Sequence, residues 1–471
     1  MIIIQDVNYG IINQIINKIG VVKMADVRLK LFEIKNLFNQ IDVKLPFEDN
    51  VNIFLGENGM GKTTVLNCLY YTLIGEIEKM NSIIFDEITV VFDNDEKLSI
   101  THDDIIAFVE EYERESPLYR RRKLRFDSIF SSKEILDLKE NNINIKKYYT
   151  KISEIYNVPV AYARNEFDKY IFNKFYTSGH GSYENVVEFN KRITEIISDK
   201  VLYFPTYRRI EEDITKLGID LEKTNVKDKL IQFGMSDVET TIENILATIK
   251  SAAITGFTKM TGILLKQYLH EDVLTDEDYI IDHEKLSIAL ARIGDEIDKA
   301  DKNEIKELVK KSEIYNNKYL LNLIKNLISS YEKQNQYDER VRKFVEVCNS
   351  YFSKNKKYIY DESNLELGIY RDNSKNEISI HNLSSGEKQV ISIFSKLYLS
   401  LNTDESCIIL FDEPELSLSI KWQETFLPDI IRSERCKLLV AVTHSPFIFD
   451  NEYDDLAKDM GNYILEKRIE E

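Results

Sequence analysis

One nine-residue stretch, Gly56-Glu57-Asn58-Gly59-Met60-Gly61-Lys62-Thr63-Thr64, constrains this chain more than any other. It follows an apolar run at 51–55 and precedes a helical pattern at 65–74. Strand, glycine-rich loop and helix in that order are the setting in which G-x-x-x-x-G-K-[ST], the Walker A pattern, binds phosphate. Gly56 and Gly61 allow backbone torsions that a Cβ forbids. The loop can then aim successive N–H groups at an anion, reinforced by the positive end of the helix. Lys62 is expected to reach the β- and γ-phosphates of a nucleotide such as ATP, and the Thr63 hydroxyl to hold Mg2+.

Two later segments supply the groups such a loop lacks. Residues 407–411 form a continuous apolar run, the pattern of a strand buried on both faces of a parallel sheet. The run ends in Asp412 and Glu413, at the strand end where open α/β sheets bind ligands. Asp412 suits Mg2+, held through water, and Glu413 suits orienting or deprotonating an attacking water. Residues 382–389, NLSSGEKQ, place Ser384 and Glu387 at capping-box spacing, so a helix is expected from there to about Leu401. The free N–H groups of that helix, with Ser384, Ser385 and Gly386, make a second anion-binding element. A further buried strand is expected at 438–442, followed by Thr443-His444-Ser445-Pro446. His444 there is either a phosphate contact or a structural histidine.

Composition narrows the class. The chain has 471 residues, 43% of them hydrophobic, enough for a real core and more than one compact unit. No apolar run reaches the length of a membrane helix, and the first residues lack a secretory pattern. Four scattered cysteines without metal spacing fit a reduced, cytoplasmic protein. The net charge of −18 argues against a broad nucleic-acid clamp and leaves room only for a local basic groove.

Most of the chain separates Lys62 from Asp412, which implies insertions between the two halves of a nucleotide-binding head. Residues 1–23 read as an N-terminal extension, with Met1 and Met24 both available as starts. Residues 24–101 read as an N-terminal lobe, with strands expected at 28–34, 44–55, 83–92 and 98–101. A first insertion, 102–199, carries a basic cluster, Arg120, Arg121, Arg122, Lys123 and Arg125, and an aromatic-rich stretch at 170–183. Residues 200–222 return with a strand at 201–204, after which Tyr207, Arg208 and Arg209 are either phosphate or partner sensors or an exposed strand end. A second insertion, 223–358, reads as helical from Leu286, Ala289, Ile293 and Ile297 and from Leu320, Ile324, Leu327 and Tyr331. Its heptads are too short-lived for an extended coiled coil. Residues 359–471 read as a C-terminal lobe, with a last strand at 463–465 and too short a tail for an appended catalytic domain.

The segments YFPTYRRIE (203–211), LSSGEKQ (383–389), DEPELSLSIKWQ (412–423) and THSP (443–446), in this order around a helical insertion, resemble the AAA-15/AAA-21 class of ABC-type ATPases. That class includes OLD-family nucleases and the ATPase subunits of bacterial anti-phage systems. The wording is most similar to the AriA-type ATPases of PARIS systems, with the PtuA-type ATPases of Septu and retron systems as close rivals. The resemblance spans 28–94, 201–211 and 378–465. It implies an α/β fold, an ABC-type P-loop head with a mixed sheet and flanking helices that carries helical insertions. It also implies that Ser384, Ser385, Gly386 and Glu387 are a signature facing the ATP bound by an opposite subunit, and that His444 contacts the γ-phosphate. No glutamine matches the class's Q-loop.

For PARIS-like systems the resemblance implies head-to-tail dimers building a hexamer. That assembly holds a separate, AriB-like Toprim-type nuclease inactive until a phage-encoded trigger, a DNA mimic among them, is sensed. The basic cluster would then dock the trigger; as a solvated helix face it would do nothing of the kind. Two other readings stand beside this one: a RecF/SMC-like DNA-repair ATPase that binds duplex DNA, and the ATPase subunit of a membrane transporter.

Overall fold

The structure, a computed structural model, describes residues 27–57, 59–115, 146–156, 182–205, 234–270, 280–294, 297–371, 377–402 and 404–466, with single positions at 160, 164 and 167. The strands in chain order are β1 (Leu29–Leu37), β2 (Ile41–Pro46), β3 (Val51–Leu55), β4 (Glu87–Phe92), β5 (Lys97–Thr101), β6 (Lys200–Phe204), β7 (Lys356–Asp361), β8 (Glu366–Arg371), β9 (Cys407–Asp412), β10 (Cys436–Thr443), β11 (Ala457–Asp459) and β12 (Ile464–Glu466). The helices are α1 (Lys62–Leu73), α2 (His102–Glu115), α3 (Lys146–Tyr156), α4 (Tyr183–Ile196), α5 (Met235–His270), α6 (His283–Arg292), α7 (Lys299–Lys310), α8 (Lys318–Tyr351), α9 (Ser385–Phe394) and α10 (Ile420–Arg432). The fold is α/β, as the sequence implies. The extension at 1–23, Asn58, the basic cluster Arg120, Arg121, Arg122, Lys123 and Arg125, nearly all of 170–183, and Tyr207, Arg208 and Arg209 lie outside the described residues.

The chain forms two units. The first comprises residues 1–201, 440–444 and 456–471, and the second residues 202–439 and 445–455. The first unit holds an antiparallel sheet in the order β12-β2-β1-β4-β5. Period-two alternation in β1 sends Phe32 and Ile34 into the core, where Val43, Ile88 and Val90 are also fully buried. Strand β3 pairs with β11 in parallel, Ile53 opposite Ala457 and Leu55 opposite Asp459. Four of the five residues of β3 are buried, as a strand covered on both faces requires.

In the second unit all six residues of β9 are buried. Strands β7 and β8 form a separate antiparallel hairpin. Helices α6 and α8 share a core of Leu286, Ala289, Leu290, Ile324, Leu327, Ile328 and Tyr331. Helices α5 and α8 run to 36 and 34 residues, about 50 Å each at 1.5 Å per residue.

Three expectations shift in detail. The apolar stretch at 44–55 is two strands with a turn between them, and the strand expected from 83 begins at Glu87. The helical face expected from Leu286 to Ile297 stops at Arg292, because Gly294 takes a left-handed backbone (φ 75°) that ends a helix.

Candidate nucleotide-binding and hydrolysis site

Helix α1 starts at Lys62 directly from Gly61, whose φ of 76° and ψ of 16° place it in the left-handed region. A Cβ there would carry that strain and would also stand 3.0 Å from the Phe38 ring. The first turn of α1 has neither an acidic residue nor a side-chain cap, so its positive end is not neutralised internally. Lys62 is buried (6% exposed) and folds over the loop. Its Nζ donates to the carbonyls of Gly56 (2.9 Å) and Glu57 (2.8 Å) and meets His444 Nε2 at 2.6 Å. The Glu57 N–H turns inward to the Met60 sulfur at 3.1 Å. Thr63 and Thr64 follow in the first turn of α1. The first unit therefore brings together Gly56, Glu57, Gly59, Met60, Gly61, Lys62, Thr63, Thr64 and His444 from motifs at opposite ends of the chain.

The second unit gathers the remaining candidates. Asp412, 2% exposed, ends β9. Glu413 follows with φ 54°, a left-handed backbone in a non-glycine residue. Such a conformation costs about 1–2 kcal/mol and marks a position held by its surroundings. The loop after it is pinned from two helices. Gln389 Nε2 donates to Pro414 O (3.0 Å), and Gln423 Nε2 donates to Leu418 O (3.0 Å). Ser445 Oγ in turn donates to Gln423 Oε1 at 2.6 Å.

Ser384 caps α9 with the full capping box expected from its spacing. The Ser384 N–H donates to Glu387 Oε2 at 2.9 Å, and the Glu387 N–H returns to Ser384 Oγ at 3.4 Å. Gly386 has no room for a side chain: a Cβ would run into the Ser417 carbonyl and meet Trp422 Cζ3 at 3.1 Å. The Ser384–Glu387 turn and the loop after Glu413 are thus one packed body. Helix α9 continues into a π-helical turn, Ser395–Ser400, whose carbonyls at Tyr398 and Leu399 accept from the buried Arg340 guanidinium at 2.9 and 2.6 Å. Burial pushes the Arg340 pKa down.

Sequence reasoning missed several of these positions. Lys356 Nζ donates to both Glu387 oxygens at 2.9 Å. Gln389 and Gln423 hold the loop after Glu413, and the half-exposed Phe38 ring lies beside Gly61. Lys356 stands in a lysine-rich stretch, Lys354-Asn355-Lys356-Lys357, that resembles any solvated one. The Gln389 position is signalled only by its helical spacing from Ser385 and Gly386.

Residues 28–449 match the AAA ATPase domain family. The chain belongs to that family. The chain accordingly carries an ATPase domain. The RecF DNA replication and repair protein of Clostridium kluyveri is 27% identical over 236 residues, covering 46% of this chain and 60% of that protein. RecF of Lactococcus lactis subsp. cremoris MG1363 is 48% identical over 44 residues, covering 9% of this chain and 12% of its own length. The ATPase thus spans less than two thirds of the curated relatives it matches. Among solved structures, the Smc head domain with extended coiled coil bound to the C-terminal domain of ScpA, from Pyrococcus furiosus, aligns over 90% of this chain and 91% of its own, with a TM-score of 0.35 and 13% identity. No described helix is long and apolar enough to cross a membrane.

Proposed function

We propose that this ATPase is an ATP-gated switch, in which the nucleotide held by Lys62 and Thr63 of one subunit is capped by the Ser384-Ser385-Gly386 turn of another. The observation that carries this reading is the packing of Gly386 against Ser417, with Gln389 on Pro414. The second anion-binding element cannot shift without moving the loop that bears Glu413.

The residues present suit Mg–ATP. A Cβ at Gly56 would meet Lys62 Cδ at 3.0 Å and one at Gly61 the Phe38 ring at 3.0 Å, so the tight loop needs glycine at both places, and the exposed Phe38 face offers an apolar surface to a nucleobase. Thr63 and Asp412 would hold Mg2+, a hard cation that takes oxygen ligands. When bound, the ion neutralises charge developing on the phosphates. Lys62 rests on neutral carbonyls, which a charged phosphate oxygen outcompetes. Its departure breaks the contact with His444 Nε2, so the state of the loop is read at His444. Glu413 orients and deprotonates the attacking water, and its fixed backbone sets where that proton is taken. Closure between subunits around ATP, and opening after hydrolysis, is the switching element.

The resemblance to PARIS-type ATPases supplies a setting: a cytoplasmic homo-oligomer, in head-to-tail dimers building a hexamer, that holds a Toprim-type nuclease until a phage protein, such as a DNA mimic, is sensed. The RecF relatives favour a second reading, an ATPase acting on duplex DNA. One experiment separates them. ATPase purified from its native host with its partners should carry a nuclease subunit and release it on ATP turnover with trigger. Recovery of duplex DNA alone, with binding that falls steeply as salt rises, supports the RecF-like reading and contradicts the first.

A further inference from the structure

We propose that Lys356, a residue outside every recognised motif, is a positioning residue for ATP hydrolysis: it sets the charge and the place of the signature turn through Glu387. The inference rests on the two-subunit reading above.

Lys356 opens β7, and its Nζ bridges both carboxylate oxygens of Glu387 at 2.9 Å. The pair is sheltered, with the lysine side chain 20% exposed and the glutamate 6%. Glu387 Oε2 also accepts from the Ser384 N–H and the Ser384 hydroxyl, both at 2.9 Å. A carboxylate in the first turn of α9 stabilises that turn. It has the wrong sign, however, beside a site for a triphosphate. Without a cation, the buried charge would repel the nucleotide and hold the Ser384 hydroxyl proton to itself. Lys356 removes both obstacles: it neutralises Glu387 and competes with Ser384 for Oε2.

The lysine is itself held along the strand it begins. The Tyr358 N–H donates to Asn349 Oδ1 at 2.7 Å, and Asn349 Nδ2 donates back to Tyr358 O at 3.0 Å, which locks β7 to α8. Two residues on, Tyr360 Oη donates to Asp338. Asp338 is fully buried and pairs with Arg292 of α6 at 2.6 Å. Arg292 Nε donates to Glu362 O at 3.0 Å. One strand thus links the signature turn to a buried ion pair in the helical insertion.

The test compares Lys356→Met, Lys356→Arg and Lys356→Met/Glu387→Gln in the full chain. Lys356→Met should lower kcat at least about tenfold, with affinity for a fluorescent ATP analogue within about threefold of the parent. Lys356→Arg should restore most of the loss. The double variant should recover part of it, since it removes the uncompensated charge, and a merely structural lysine would not give that recovery. Mixing then locates the effect. Lys356→Met mixed equally with Lys62→Ala should regain about a quarter of parental activity, because half the dimers pair one intact loop with one intact signature. Ser384→Arg mixed with Lys62→Ala is the control. If the control regains activity and the Lys356 mixture does not, or if Lys356→Met alone turns over at the parental rate, the role of Lys356 is rejected. If neither mixture regains activity, the two-subunit reading fails and the inference with it.

Discussion

Lys62 Nζ and His444 Nε2 stand 2.6 Å apart although 382 positions separate them in the chain. Lys62 opens α1, and His444 directly follows β10. Lys62 and His444 are expected to make different contributions. Lys62→Ala should weaken ATP binding at least about 100-fold, equivalent to about 2.7 kcal/mol. His444→Ala should leave binding within about threefold and lower kcat about 100-fold. Calorimetric titration with ATP and steady-state turnover separate the two effects. Equal losses of affinity in both variants would show that the pair acts as one binding group.

Glu413 occupies a left-handed backbone conformation (φ 54°) that glycine adopts without strain and any residue with a Cβ, alanine included, adopts at a cost. Glu413→Gly should therefore be more stable than Glu413→Ala by about 0.5–1 kcal/mol, the reverse of the order in a helix. Both should be inactive. Denaturant midpoints of the two variants decide it; the ordinary order would show that the loop relaxes when the side chain is lost.

Gly386→Ala forces a methyl group against the Ser417 carbonyl and the Trp422 ring. It should cost about 1–3 kcal/mol of stability and abolish turnover, because the loop bearing Glu413 must give way. Thermal unfolding beside an ATPase assay checks both. A stable, active variant would mean that the two loops do not move as one.

The motifs were legible because their chemistry is local. Gly61-Lys62-Thr63, Asp412-Glu413 and the Ser384–Glu387 capping box each declare a loop or helix start within a few residues. Strand β9 declared itself by continuous apolar character. What lay hidden was long-range. Nothing around Lys356 announces that it pairs with Glu387, and nothing in 457–459 announces a strand beside β3. The π turn at Ser395–Ser400 reads as ordinary helix, and the Arg340 guanidinium that its carbonyls meet lies on another helix. The strand expected over 83–92 forms only from Glu87, and the apolar residues at 83–85 precede it outside any regular element.

Glu387 gives a pH signature. Burial alone would raise its carboxyl, but the Ser384 N–H, the Lys356 ammonium and the Ser384 hydroxyl together hold it below the ordinary glutamate value of 4.5. Its stabilising contribution is therefore complete above that value and is lost as pH falls through the depressed one. Melting temperature should decline on acidification below the ordinary value, and Glu387→Gln should flatten that part of the profile. An unchanged profile would remove Glu387 from the groups that stabilise the fold.

The central claim, that ATP is enclosed between two subunits, is tested most directly by sedimentation of Glu413→Gln with and without Mg–ATP. The account predicts that ATP assembles the variant into dimers or multiples of them, each dimer retaining two unhydrolysed nucleotides, and that Ser384→Arg in the same background blocks that assembly. ATP bound tightly with no change in assembly, or assembly unaffected by Ser384→Arg, would contradict it.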